Sequence, residues 1–199
     1  MDQRTDEWFA ARLGKVTASR IKDVLAGKTT AARRNYLAQL VVERLTQKAP
    51  ESFTNAAMQW GTDQEPFARA AYEAKTGVLV DETGLVDHPV IPMSGASPDG
   101  LVANDGLVEI KCPNTATHMD TLLTKTPDSD YVGQMQWHMA CTGRKWCDFV
   151  SFDPRMPENL QLCVIRVNRD DKKIEEIEKE VIKFLSEIDQ KITQLKAII

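Results

Sequence analysis

The segment of residues 97–113 constrains the fold more than any other part of the chain, because two strand-like stretches in it flank a turn signal. It reads SPDGLVANDGLVEIKCP, with the turn placed at Asn104-Asp105-Gly106. An Asp-Gly pair tolerates positive φ angles and closes tight turns, so the segment predicts an antiparallel β-hairpin. Side chains on a strand alternate between its two faces, so Val108 and Ile110 are expected to point into a core.

The returning strand of this hairpin carries an acid and a lysine on one face. Glu109 and Lys111 are two residues apart, and the hairpin pairing brings Asp99 back beside Glu109. Mg²⁺ prefers carboxylate and carbonyl oxygens, which Asp99, Glu109 and the backbone carbonyl of Ile110 supply. The ammonium group of Lys111 suits a metal-bound hydroxide or a crowded phosphate. The set predicts phosphodiester hydrolysis; the alternative is that Asp99 caps a turn while the other two side chains face solvent.

A helix upstream of the hairpin contributes another acid. Residues 60–77 predict a helix with Glu65 near its start and with Phe67, Ala71 and Ala74 as core positions. Glu65 is either a further acid near the metal or a residue that complements the positive end of the helix dipole.

A helix downstream of the hairpin contributes an amide. Tyr131, Gln134, Met135 and His138 fall at i, i+3, i+4 and i+7, so they share one face. Gln134 is placed to contact a metal-bound water or the scissile phosphate. His138 either lies beside it or is a core histidine with a hydrogen-bonded partner.

Length and composition predict a single domain. The 199 residues, of which 42% are hydrophobic, can bury a sizeable core. We expect a helical part at 1–77, a sheet-bearing catalytic core at 78–170 and an amphipathic helix at 171–199, which packs on the sheet or contacts a partner. No apolar run approaches the roughly 20 residues of a membrane span, and the N-terminus lacks the apolar core of a signal peptide. A cytoplasmic location is therefore expected.

Cysteine spacing and charge distribution further limit the kinds of site and ligand that the chain is expected to have. The four cysteines contain no Cys-x-x-Cys pair, so buried thiols are expected rather than a zinc or iron–sulfur site. Residues 1–50 hold ten Lys or Arg and five Asp or Glu, a balance of +5 that leaves −9 for the rest of a chain of net charge −4. This asymmetry predicts either a basic face for DNA phosphates or solvated surfaces. The candidate residues are Arg4, Lys15, Arg20, Lys22, Lys28, Arg33 and Arg34.

Taken in order, the motifs resemble the phage λ exonuclease family, the YqaJ-type viral recombinase nucleases of the PD-(D/E)XK superfamily. The likeness covers nearly the whole chain and rests on ARLGKVTAS, WGTDQE, SPDGLV, EIKCP, YVGQMQW and FDPRM. It implies an α/β fold with a restriction-endonuclease-like core, in which a central mixed β-sheet is flanked by helices. It also implies processive 5′-to-3′ degradation of linear double-stranded DNA that releases mononucleotides and leaves 3′ single-stranded tails.

The resemblance assigns roles to individual residues. It implies that Asp99, Glu109 and the carbonyl of Ile110 bind metal, that Lys111 is the catalytic lysine, and that Glu65 and Gln134 are accessory active-site residues. The implied cofactor is Mg²⁺, with Mn²⁺ as a substitute and two ions per site.

The resemblance also implies a pocket for the 5′-phosphate, with Arg12, Ser19 and Ser97 on its motif positions. The guanidinium of Arg12 matches the geometry of a phosphate, and the hydroxyls add neutral donors. Where the λ enzyme has a further arginine, this chain aligns Thr117, followed by His118. Either the pocket is weaker here, or another cation substitutes.

The implied partners are double-stranded DNA ends, a homotrimeric ring around the DNA, and a phage-type single-strand annealing protein, in a bacterial host cell with phage or prophage as the source. Two other functions stay open. One is a related endonuclease, which would cut closed circular DNA. The other is a non-catalytic DNA-binding recombination module with a vestigial metal site.

Overall fold

The computed structural model describes residues 3–49 and 55–198. The sequence predicts a helix over 31–47 that is ended by Ala49-Pro50; Pro50 lies outside the described residues, as does Ile199, the last residue of the predicted C-terminal helix. The helices are α1 (Asp6–Arg12), α2 (Ile21–Leu25), α3 (Ala31–Thr46), α4 (Ala56–Thr76), α5 (Thr115–Thr124), α6 (Ser129–Thr142) and α7 (Asp171–Lys196). The strands are β1 (Val16–Thr17), β2 (Val80–Asp81), β3 (Val86–Asp87), β4 (Ser94–Ala96), β5 (Gly100–Val102), β6 (Gly106–Lys111), β7 (Trp146–Phe152) and β8 (Leu162–Asn168).

The larger sheet has the order β2-β5-β6-β7-β8. Its β6–β7 pair is parallel and its other pairs are antiparallel, so it is a mixed sheet. A parallel pair needs a long crossover connection, and here α5 and α6 supply it. This arrangement confirms the predicted α/β class with a central mixed sheet and flanking helices.

Both faces of the larger sheet are buried. On one face Leu107 and Phe149 belong to a core that also includes side chains of α2, α3, α6 and α7. On the other face Val108 and Ile110 pack with residues of α4. The alternating pattern along β6 therefore separates two cores instead of a core and solvent.

The predicted hairpin is formed by β5 and β6, but its turn lies one residue earlier than predicted. Val102 pairs with Gly106, so residues 103–105 form the turn and the positive φ of 47° is at Ala103. Gly106 belongs to the strand and does not have a positive φ. It is required for space, because a Cβ atom there would lie 2.1 Å from the ring of Trp146.

The N-terminal part is not entirely helical. Val16 and Thr17 form β1, which pairs in parallel with β4 in a second sheet of order β1-β4-β3. The sequence predicts a helix over 17–25, but Thr17 is strand, and the following residues begin as a 3₁₀ turn at Ala18 and become α-helical at Ile21. The pairing matters for the site, because the chain continues from β4 directly into residues 97–99.

The buried face of α4 agrees with the predicted one only at Ala71, which packs against the core that contains Val108 and Ile110. Ala68 and Tyr72 are the buried residues, whereas Phe67 is 63% exposed and Ala74 is exposed. The Tyr72 hydroxyl donates a hydrogen bond to Oδ2 of Asp148, which lies on β7, at 2.8 Å. That buried polar contact lies on the helix face that packs inward.

Six of the seven predicted basic-face residues pair with acids. The pairs are Arg4–Glu65, Lys15–Asp87, Arg20–Asp23, Lys22–Asp130, Lys28–Glu187 and Arg33–Glu187. Arg33 is buried rather than on a surface. The positive excess of the N-terminal part is thus largely neutralised by acids, most of them from later segments of the chain.

Asp153 holds the loop after β7 against the start of α5. Its side chain is buried and accepts hydrogen bonds from Thr115 Oγ1 at 2.7 Å and from Arg155 Nε at 2.7 Å. Arg155 also donates to the carbonyl of Pro113 at 3.1 Å. Burial alone would raise the pKa of Asp153, but the hydrogen bonds from Arg155 and Thr115 lower it to about 2.

We expect this carboxylate to make folding sensitive to acid. Since the pKa of Asp153 is lower in the folded than in the unfolded chain, its stabilising contribution is complete above about pH 4 and is lost as the pH falls toward 2. Asp153→Asn should reduce the loss of unfolding free energy across that interval. Urea unfolding at several pH values measures the difference; parallel curves for the two proteins would contradict it.

Candidate active site

The hairpin register brings Asp99 and Glu109 together. Gly100 pairs with Val108, so the residues next along each strand, Asp99 and Glu109, lie opposite each other. Asp99 Oδ2 accepts a hydrogen bond from the N–H of Ile110 at 2.7 Å, which fixes its carboxylate against β6. The predicted role of the Ile110 carbonyl as a metal ligand stays a prediction.

Donors from two elements hold the Glu109 carboxylate, which is 1% exposed. Lys111 Nζ, from the same strand, donates to Oε1. Gln134 Nε2, from α6, donates to the same oxygen at 2.7 Å. His138 Nε2, one helical turn further along α6, lies 2.9 Å from Oε2. The structure thus brings Glu109, Lys111 and Gln134 together as predicted, and His138 is both a buried histidine and a neighbour of the site.

The two acids differ in their electrostatic environment. Burial and the charge of Glu109 raise the pKa of Asp99. Burial would also raise the pKa of Glu109, but Lys111 and His138 lower it below its usual range. Burial alone would lower the pKa of Lys111, yet Glu109 and Asp99 raise it, so the ammonium group is charged. The negative charge of Glu109 is therefore well compensated, whereas a negative charge on Asp99 is unfavourable.

Glu65, on α4, adds to the electrostatic repulsion at Asp99. Its charge is among the causes that raise the pKa of Asp99, which places it near the acid pair. Its own oxygens are engaged, because Oε2 pairs with Arg4 and Oε1 lies 3.3 Å from Arg69 Nη2. Glu65 is held by two arginines, and no contact among the described residues bonds it directly to Asp99 or Glu109, so its accessory role stays a prediction.

The acid pair fits a divalent cation of the magnesium type. Two close carboxylates, of which Asp99 carries an unfavourable charge, gain from a cation between them. Mg²⁺ keeps several waters and needs only one or two carboxylates. Within residues 3–49 and 55–198, no group of three or more His, Cys, Asp or Glu side chains forms a fuller metal cage. The donor set therefore suits Mg²⁺ or Mn²⁺ better than a cation that requires many protein ligands.

A groove of about 390 Å³ is lined by Arg12 and Ser19 together with other residues of the N-terminal part. Arg12 stacks on the ring of Trp8 at 4.1 Å and donates long hydrogen bonds to Ser97 Oγ (3.4 Å) and Thr17 Oγ1 (3.5 Å). Ser97 is two residues from Asp99, which joins the groove to the acid pair.

Arg12 differs from the buried and half-buried arginines of the N-terminal part, which pair with acids. Burial lowers its pKa, with Tyr36 and Glu43 acting in the opposite direction, and no ion pair to it occurs among the described residues. A half-buried guanidinium held only by hydroxyls and a ring favours an anionic ligand.

The predicted phosphate residues are only partly brought together. Arg12 contacts Ser97, and Ser19 lines the same groove. Thr117 lies in the first turn of α5 with an exposed side chain, and no described contact links it to the groove. His118 does not replace the missing cation, because its ring is buried between Ser151 Oγ (2.7 Å) and the Leu160 carbonyl (2.8 Å).

Sequence reasoning missed the residues that support Arg12. Trp8 lies four residues before Arg12 on α1, and its Nε1 donates to Ser97 Oγ at 3.0 Å. The i, i+4 spacing on a predicted helix was a usable signal for Trp8. The Thr17 contact had no such signal, because it depends on β1 being a strand.

Comparisons with known proteins agree on one family. A family profile described as the YqaJ-like viral recombinase domain matches residues 7–145. The alkaline exonuclease LHK-Exo from Laribacter hongkongensis is 55% identical, with 97% of each chain covered and a TM-score of 0.92. The structure of LHK-Exo in complex with dAMP gives the same values: 55% identity, 97% of each chain and a TM-score of 0.92.

A more distant structure supports the fold alone. The phage-related exonuclease from Haemophilus somnus 129PT is 17% identical, covering 91% of this chain and 96% of that chain with a TM-score of 0.75. No curated protein matches the chain. Among the described residues, no helix has the length and apolar character needed to cross a bilayer.

We expect Asp99→Asn to stabilise the metal-free protein. The substitution keeps an oxygen for the Ile110 N–H and removes the charge that burial and Glu109 oppose, so the free energy of unfolding should rise by about 1 kcal/mol or more. Urea unfolding at pH 8 with a chelator measures it, with exposed Asp120→Asn as the control. Lower stability of Asp99→Asn would show that the two carboxylates do not oppose each other.

Proposed function

Because the chain belongs to the YqaJ-like viral recombinase domain family, we propose that it is a Mg²⁺-dependent exonuclease that degrades one strand of linear double-stranded DNA in the 5′-to-3′ direction. The family predicted from the ordered motifs is thereby confirmed. The observation that carries the proposal is the joining of two sites, an acid pair with a lysine and a groove with an arginine that has no acidic partner, by the three residues Ser97 to Asp99.

The similar enzyme supports the class of reaction. LHK-Exo is an alkaline exonuclease, and its 55% identity extends over nearly the whole of both chains. Its complex with dAMP supports a nucleoside 5′-monophosphate as the product released here. The family and this similar enzyme both indicate a nuclease of the viral recombination type. The direction of digestion, the metal ion and the strand that is degraded are further parts of our proposal.

Each residue of the acid pair has a part in the proposed hydrolysis. Asp99 and Glu109, with the Ile110 carbonyl, would hold Mg²⁺, with Mn²⁺ as a substitute and two ions per site. Bound Mg²⁺ polarises phosphate oxygens and lowers the pKa of coordinated water. Lys111 places a fixed positive charge beside Glu109, where negative charge develops on the phosphate. Gln134 and Glu65 act as accessory residues, the first through its bond to Glu109.

The proposed 5′-to-3′ direction of digestion depends on the groove that contains Arg12. Arg12, with Ser19 and Ser97, would bind the terminal 5′-phosphate while the next phosphodiester lies at the acid pair. Two residues of chain span at most about 7 Å, which is compatible with neighbouring phosphates lying at the two sites.

The remaining features follow from the family. We propose a homotrimeric ring around DNA, which would explain processive digestion, and an annealing protein that coats the 3′ single-stranded tail, in the cytoplasm of a bacterial host. Sedimentation of the protein with DNA tests the ring; a mass of one chain at working concentration would remove it.

We predict that the acid–lysine centre is required for digestion. Lys111→Ala should lower nucleotide release from linear duplex with Mg²⁺ by roughly 10²- to 10³-fold, because it removes the charge beside the reacting phosphate. The exposed Lys145→Ala is the matched control and should behave as wild type.

The same assay separates the alternative functions. End-labelled duplexes report the polarity, and loss of the 3′ label first would reject the proposed direction. Cleavage of covalently closed circles would favour an endonuclease. Unchanged release by Lys111→Ala would reject the catalytic assignment, and an absence of release by the wild type would favour a DNA-binding module.

We predict that Arg12 recognises the terminal phosphate. Wild type should digest 5′-phosphorylated duplex faster than 5′-hydroxyl duplex, and Arg12→Ala should lose roughly 10-fold or more on the phosphorylated DNA alone, as expected for charge-assisted hydrogen bonds. Exposed Arg34→Ala is the control. dAMP should inhibit wild type better than deoxyadenosine does. Equal losses of Arg12→Ala on both duplexes would mean that Arg12 does not contact the terminal phosphate.

A further inference from the structure

His138 is buried next to the acid pair, and only one of its two ring nitrogens contacts an acid. Its ring is 1% exposed, and Nε2 lies 2.9 Å from Glu109 Oε2. The same nitrogen is 3.4 Å from Gln134 Nε2, a contact between two donors that adds nothing. Nδ1 has no hydrogen-bond partner among the described residues.

The position of the ring proton follows from these contacts. A carboxylate oxygen only accepts, so Nε2 carries a proton and donates it to Glu109. Nδ1 then has an unused lone pair inside the protein, which has a desolvation cost. An apolar side chain would fill the space without that cost, so packing alone does not account for a histidine here.

The other buried histidine of this region has a different pattern. His118 uses both ring nitrogens, one with Ser151 Oγ and one with the Leu160 carbonyl, and so joins α5 to β7 and the segment before β8. It contacts neither acid. The two histidines are equally buried, but only His138 directs its ring at the site.

The donors around Glu109 explain what the ring does. A carboxylate accepts about four hydrogen bonds, two at each oxygen. Oε1 receives Lys111 and Gln134, and Oε2 receives His138. Each oxygen is thus fixed by a donor from α6, and the free acceptor direction among these contacts is on Oε2. Without His138, the carboxylate is held at one oxygen and can rotate about it.

We propose that His138 is a positioning residue for the metal-binding carboxylate: its Nε2–H fixes Glu109 Oε2 so that the remaining lone pair is directed at a divalent cation. The inference rests on the proposed function, since it requires that Glu109 binds the cation. Groups that orient metal ligands in this way typically contribute 10- to 100-fold to metal affinity.

Three substitutions at one position separate positioning from packing. The amide nitrogen of Gln reaches about as far from the backbone as imidazole Nε2, whereas that of Asn reaches only as far as Nδ1. His138→Gln should therefore keep the bond to Glu109. His138→Asn carries the same amide group on a shorter side chain and should lose that bond. His138→Met fills the volume without a donor and serves if Asn prevents folding. His118→Gln is the control for a buried histidine.

The readout is Mn²⁺ binding to the full chain without DNA, measured from the electron paramagnetic resonance of the free ion, together with the melting temperature in chelator. We expect His138→Asn and His138→Met to weaken binding 10- to 100-fold and His138→Gln by no more than about 3-fold. His118→Gln should lower the melting temperature and leave the Mn²⁺ affinity unchanged.

Two results would overturn the inference alone: wild-type affinity in His138→Asn and His138→Met, or a loss in His138→Gln as large as in those two. Failure of the proposed function would look different. In that case the wild type itself would bind no Mn²⁺, and the metal-dependent nuclease and the role of His138 would be rejected together.

Discussion

The active site depends on one unfavourable arrangement, the placement of two carboxylates side by side in a region with little water. Asp99 and Glu109 oppose each other across the hairpin, and only Glu109 has enough donors around it to carry its charge at low cost. The cores on the two faces of the sheet pack against β5 and β6 and so maintain the pairing that brings these carboxylates together. The resulting strain is a reason to bind a cation, so the same interaction that weakens the metal-free fold supports the proposed chemistry.

The rest of the structure positions three elements around that pair. The sheet carries the acids and Lys111, α6 supplies the donors to Glu109, and the small second sheet directs residues 97–99 from the groove to the acids. Arg12 contacts Ser97, which is two residues from Asp99, so a short stretch of chain after β4 links the groove to the acid pair.

Much of this could be predicted from particular residues. The alternation in EIKCP and the turn signal before it placed Asp99, Glu109 and Lys111 together, because strand periodicity and hairpin pairing are local properties. The i, i+3 and i+4 spacing on α6 placed Gln134 and His138 on one face. Other predictions failed where packing decided: Phe67 is exposed because α4 buries Ala68 and Tyr72 instead, and Gly106 is needed for Trp146 and not for its φ angle. The predicted basic face is largely neutralised by acids that are distant in sequence.

The sequence by itself determined the family and the α/β class and placed Asp99, Glu109 and Lys111 close together, because these depend on motifs and on spacing within single strands and helices. Only the tertiary structure decided which half-buried arginine of the N-terminal part has no ion pair among the described residues, that Thr117 is not part of the groove lining, and that His138 bonds to Glu109 and not to a core group. The physical reason is that pairing, burial and hydrogen-bond partners are set by residues far apart in the chain. Their free energies depend on which surfaces meet, and no local pattern specifies that.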